Sequence, residues 1–118
     1  MRYLTSRLRS IGYALNGVRH LLRSQANASI HAFATAVVVF TGIFFSVSNT
    51  EWCLLALAIA SVWTAEALNT AVESVVDLVS PEHHALAGQA KDVAAAGVLL
   101  ASVGAAVVGL IIFVPHLL

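Results

Sequence analysis

The sequence predicts an all-α integral membrane protein, with three transmembrane helices preceded by an amphipathic interfacial helix. Three observations carry the prediction. Hydrophobic residues make up 59% of the 118 residues and charged residues only 10%, and the mean hydropathy of +0.88 is too high for a soluble domain of this length. Two long stretches, 28–50 and 93–118, contain no Asp, Glu, Lys or Arg. Five of the six basic residues precede the first of them. The chain is too short for several domains, and residues 1–118 form one membrane unit. Its net charge of zero gives no reason to expect nucleic-acid binding. The single cysteine, Cys53, has no partner for a disulfide and no metal-ligand spacing around it, so a packing role is expected.

The interfacial helix is expected over residues 1–26. Leu4, Leu8, Ile11, Leu15, Val18 and Leu22 recur at spacings of four and three, with Arg2, Arg7, Arg9, Arg19 and Arg23 between them. That pattern lays an apolar stripe into a bilayer surface and leaves the arginines among the headgroups. Ala26-Asn27-Ala28 resembles a signal-peptide cleavage site, but Arg19 and Arg23 interrupt the apolar core such a peptide needs.

Residues 28–50 form the first expected span, long enough at about 1.5 Å per residue to cross a hydrocarbon layer of roughly 30 Å. Residues 52–79 form the second, with the charges in its second half. A polar break at 80–88 follows, and residues 89–115, built around the apolar stretch 93–118, form the third. Ser80, Pro81 and Glu82 at the start of that break read as a helix-start signal. Lys91, the sixth basic residue, lies beyond two crossings and therefore on the same side as the N-terminus. The positive-inside bias puts both in the cytoplasm and turns the 46–51 connection outward.

The second span raises the functional question. In EALNTAVESVVD, Glu66, Asn69, Glu73 and Asp77 are separated by three, four and four positions, which at about 100° per residue gathers them into one stripe with Thr70 beside them. Glu66 lies deepest, roughly 16 Å along the axis from Asp77. An ionised group inside a bilayer costs at least a few kcal/mol, so such a stripe faces a partner helix, a cavity or a cation. A hydrogen-bonded interhelical seam, a proton or ion path, and a catalytic metal site all satisfy that requirement. Lys91, the only lysine, and Asp92 fall at the cytoplasmic mouth of the third span, beside the acids. Carboxylates able to hold a divalent cation, next to a fixed positive charge, are the components that phosphoryl transfer uses.

These residues carry a resemblance. EALNTAVESVVD followed by HALAGQAKD closely resembles the signature of the small bacterial integral membrane lipid kinases, the diacylglycerol kinase and undecaprenol kinase family. The likeness extends to Gly12-Tyr13, Asn16-Gly17 and Asn27 to His31, and so covers nearly the whole chain. The resemblance implies three transmembrane helices in the bacterial inner membrane, a homotrimer with shared active sites, and transfer of the γ-phosphate of MgATP to a lipid alcohol. Residue by residue, Glu66 matches the family's proposed general base, Glu73 a divalent-metal ligand, and Asn69 and Asp77 polar residues of the same site. Tyr13, Glu73, Asp77, Glu82, His84, Lys91 and Asp92 match nucleotide-contacting positions. One position departs: many members complete the metal site with a glutamate where Gln25 stands here, and an amide offers one carbonyl oxygen and no charge. Diacylglycerol, giving phosphatidic acid, is the first expectation for the acceptor and undecaprenol the alternative. A small proton-coupled transporter, with Glu66 as proton carrier, and a structural membrane subunit are the readings from outside the enzymes.

No GxxxxGK[ST] loop and no protein-kinase motif occurs, so an ATP site must be assembled from helix faces. One thin three-helix unit can scarcely enclose a nucleotide. Gly97, Ala101, Ala105 and Gly109 recur every four residues, a small-residue face suited to close helix contact within or between subunits. His83 and His84 lack zinc-ligand spacing, His31 is read as a hydrogen-bonded interfacial residue, and Trp52 and Trp63 as membrane aromatics.

Overall fold

A computed structural model of the chain describes residues 1–24 and 26–118, with the side chains of Ser24 and Ala26 excepted. Four helices follow one another: α1 (Arg2–Ser24), α2 (Ala26–Phe44), α3 (Asn49–Val79) and α4 (Ala85–Leu117). Three of them, α2, α3 and α4, are long and apolar enough to cross a membrane. The all-helical architecture expected from composition and periodicity is therefore the one found.

The element boundaries differ from the expected spans, and the loops explain why. α2 stops at Phe44 rather than continuing to 50, because Ser46 turns the chain with φ 50° and Ser48 starts the next helix. The Ser48 hydroxyl accepts from the Glu51 backbone N–H at 3.2 Å, while the Glu51 carboxylate accepts from the Ser48 N–H at 3.0 Å. This reciprocal cap satisfies two N–H groups that a helix start otherwise leaves orphaned, so α3 begins at Asn49 and not at 52.

The polar break is shorter than 80–88, and its capping residue is different. Ser80 ends α3 instead of starting a helix: its N–H still donates to the Val76 carbonyl, but φ −133° and ψ 75° take it out of the helix. Pro81 disfavours helical geometry in the residue before it, which is the physical reason. His84 is the N-cap of α4, with extended backbone and a side chain that accepts from Leu86 at 3.1 Å through Nδ1. The histidine pair thus stands in the α3–α4 connection.

α3 and α4 form the main packing pair, with α2 and α1 resting more lightly on α3. The buried cluster of Val47, Leu55 and Ile112 packs with Phe45, Trp52 and Phe113 at the 46–51 end. There Gly42 meets Trp52 so closely that a Cβ on the glycine would lie 2.5 Å from the indole. The His116 ring stacks on Phe45 and its Nε2 lies 3.4 Å from the Glu51 carboxylate, tying the end of α4 to the α2–α3 connection. The molecule is a thin layer, 53 × 47 × 20 Å. Its clustered apolar core lies at one end, with Leu21 and Ala28 buried apart from it, and the polar residues of α3 lie toward the other end.

Candidate active site

α3 carries the polar stripe, and its neighbours divide it into three levels. At the deepest, Glu66 is fully buried. The His31 ring of α2 faces it, with Nε2 3.3 Å from Glu66 Oε2. The distance is within ion-pair range, but no hydrogen bond joins the two groups, and among the described residues neither carboxyl oxygen has a hydrogen-bond partner. Both Glu66 and His31 line a pocket of 250 Å³ together with Asn27, Asn69, Leu99 and Ser102. A buried carboxyl without donors is costly. Such a group beside an apolar-walled cavity can accept a hydrogen bond from a polar ligand atom.

One turn up, Asn69 is buried and its Nδ2 donates to Glu73 Oε1 at 3.2 Å, while its own carbonyl oxygen has no donor. The amide orients the Glu73 carboxylate, and that carboxylate keeps its second oxygen for another partner. Thr70 is turned away from this role, donating to the Glu66 carbonyl at 2.9 Å.

At the top, Lys91 of α4 meets Asp77 of α3, Nζ to Oδ1 at 2.5 Å. Both line a second pocket, of 270 Å³, with Ser80, Glu82, His83 and His84 of the connection. The short α3–α4 connection brings Glu82 and His84 over the Asp77–Lys91 pair. This pocket is more polar than the lower one and sits where α3 emerges from its apolar stretch.

The expected site residues are therefore assembled unevenly. Glu66 and Asn69 share one pocket, Asp77, Glu82, His84 and Lys91 the other, and Glu73 is joined to Asn69 between them. Asp92 is exposed on α4, and Tyr13, 72% exposed on α1, lines neither pocket. Gln25, the doubtful metal ligand, lies outside the described residues. Among the described residues no group of three or more His, Cys, Asp or Glu side chains is placed to hold a metal ion.

His31 and Trp63 are more closely tied to the site than the sequence reading allowed. Trp63 Nε1 donates to Thr35 Oγ1 at 3.0 Å, Thr35 Oγ1 donates to the His31 carbonyl at 2.7 Å, and the two rings meet edge to face at 6.1 Å. His31 stands thirty-five positions before Glu66, on another helix, so no spacing rule connects them.

Residues 12–113 match the family profile of the prokaryotic diacylglycerol kinases. The chain is 38% identical to an undecaprenol kinase of Bacillus subtilis, over 92% of this chain and 89% of the relative. It is 41% identical to a diacylglycerol kinase of Synechocystis, over 92% of this chain and 63% of that longer relative. A diacylglycerol kinase of Escherichia coli is 30% identical, again over 92% of this chain and 89% of the relative. With a profile match spanning α1 to α4 and relatives aligned through both pockets, the chain belongs to the prokaryotic diacylglycerol kinase family.

Proposed function

We propose that this membrane lipid kinase transfers the γ-phosphate of ATP to the hydroxyl of a membrane lipid, with Glu66 as general base. The observation that carries the proposal is the buried Glu66 carboxyl, without a hydrogen-bond donor, at the edge of a 250 Å³ pocket whose other walls include Ile30, Val98 and Leu99. A lipid hydroxyl entering from the bilayer supplies the missing donor, and the apolar walls accept the chain attached to it. As the hydroxyl oxygen attacks the γ-phosphorus, its proton passes to Glu66 and the bond from the γ-phosphorus to ADP breaks.

The upper pocket is assigned to the nucleotide. Lys91 meets phosphate charge, and Asp77, paired with it, holds the ammonium in place until phosphate arrives. Glu82 and His84 border the same pocket and are assigned to the rest of the nucleotide, with Asp92 and Tyr13 as further contacts.

Glu73, between the pockets, is assigned to Mg²⁺. The donor set fits a cation shared with the substrate rather than one caged by protein. Mg²⁺ characteristically takes one or two carboxylates plus phosphate oxygens and waters, and Glu73 offers one carboxylate oriented by Asn69. Bound there, Mg²⁺ supplies charge neutralisation at the phosphates.

The chain functions in the bacterial inner membrane with the upper pocket facing the cytoplasm, where ATP is found and where the charge bias places Arg2 to Arg23 and Lys91. The assembly is a homotrimer. A layer 20 Å thick leaves both pockets open, and the α4 glycines are not consumed within the chain, since a Cβ on Gly97 or Gly109 would meet nothing within 4 Å.

Diacylglycerol is the proposed acceptor and undecaprenol the second, since relatives named for each are similarly related to this chain. Purified protein in detergent, given MgATP labelled at the γ-phosphate and each lipid in parallel, should place label in one lipid at a rate well above the other. Label in neither lipid, from folded protein, would overturn the assignment.

A further inference from the structure

We propose that His31 is the positioning residue of the base: its Nε2 holds Glu66 Oε2, so that Oε1 is presented to the lipid hydroxyl. The inference rests on the assignment of Glu66 as base and adds the group that fixes it. Of the side chains lining the lower pocket, only His31 and Glu66 are titratable; Asn27, Asn69 and Ser102 are neutral and the rest apolar. No cation from α3 or α4 borders Glu66 at that level. Among the described residues His31 is the one group within ion-pair distance, at 3.3 Å, and a buried carboxylate left without such a partner is strongly destabilising.

The imidazole is itself held. Trp63 packs its indole against the ring at an interplanar angle of 66°, and the Trp63–Thr35–His31 hydrogen-bond chain clips α2 to α3 at this level. With its backbone and one edge fixed, the ring has a small range of rotation, and that rotation is what aligns Nε2–H with Oε2. Catalytic hydrogen bonds are often misaligned before substrate binds and tighten in the complex, which accounts for an ion-pair distance without hydrogen-bond direction in the free chain. A carboxylate anchored through one oxygen offers its other oxygen in one orientation. Proton abstraction from a lipid hydroxyl needs that orientation. In the step, the lipid O–H bond breaks, its oxygen bonds to the γ-phosphorus, ADP departs, and the proton rests on Glu66 Oε1 while His31 keeps Oε2.

The test is a set of four variants assayed for lipid phosphorylation over a range of lipid and of MgATP concentrations: His31→Ala, His31→Gln, Glu66→Gln, and the double variant His31→Ala with Glu66→Gln. His31→Ala should lower kcat about tenfold to a hundredfold, the usual cost of losing a group that orients a functional side chain, with KM for lipid and for ATP within about twofold. Gln places an amide N–H near the position of Nε2, so His31→Gln should recover most of the loss. In the Glu66→Gln background, His31→Ala should cost nothing further. Normal kcat in His31→Ala, a loss confined to KM, or no recovery by Gln would overturn the role of His31 and leave Glu66 untouched. Full turnover in Glu66→Gln would instead overturn the base itself. Should His31→Ala fail to fold, His31→Gln against His31→Asn decides the matter. Asn is too short to reach Oε2 and should be impaired, and equal activity of the two would refute the proposal.

Discussion

A carboxyl group shut away from water with no donor is among the more expensive things a fold can contain, and Glu66 is such a group. Its neighbour His31 lies 3.3 Å away without a hydrogen bond to it, which under the proposed function leaves Glu66 able to accept from a lipid hydroxyl. Glu73 differs. It is half-buried, is oriented by Asn69, and keeps lone pairs for a cation. Glu73→Ala should raise the Mg²⁺ concentration needed for half-maximal activity by about tenfold or more, and an unchanged Mg²⁺ titration would remove Glu73 from the metal site. The helical stripe of Glu66, Asn69, Glu73 and Asp77 was legible from spacing alone, since all four share one helix and its period. His31 was not, because its relation to Glu66 depends on how α2 is rotated against α3, and a sequence without pairing information does not encode that rotation visibly.

At the scale of the element, helix existence and helix ends obey different physics. α2, α3 and α4 follow from long apolar runs, which need a membrane and a helix to satisfy their backbone. Their ends depend on single residues. Ser48 and Glu51 form a reciprocal cap that the apolar run conceals, and Pro81 makes Ser80 a terminator although serine is a favoured helix start. His84, an unusual N-cap, takes that role because its Nδ1 accepts from Leu86. The close approach of Gly42 to Trp52 was likewise invisible in composition, yet it closes the apolar end of the layer. Gly42→Val should cost about 1–3 kcal/mol of stability by overpacking against the indole, measured as a lower thermal midpoint in detergent. A midpoint equal to that of the unsubstituted chain would show that the indole moves aside freely.

For the whole molecule, the arrangement separates stability from chemistry. The apolar cluster around Leu55 and Ile112 holds the end away from the proposed nucleotide pocket. α3 then runs from that core past Glu66 to Asp77, linking a largely apolar pocket of 250 Å³ to a polar one of 270 Å³. A helix of 31 residues is longer than a bilayer crossing requires, and the surplus carries Asp77 to the connection where Lys91, Glu82 and His84 gather. In the proposed reaction, hydroxyl and phosphate would be brought toward each other along this one helix, with Glu73 between them. The central claim is that the buried Glu66 of this helix supplies the base. The most direct measurement compares γ-phosphate transfer to lipid by the unsubstituted chain and by Glu66→Gln at saturating MgATP, with nucleotide affinity measured on the same preparations. The account predicts transfer about 10²–10⁴-fold slower with nucleotide affinity unchanged. Transfer at the normal rate by Glu66→Gln would contradict it.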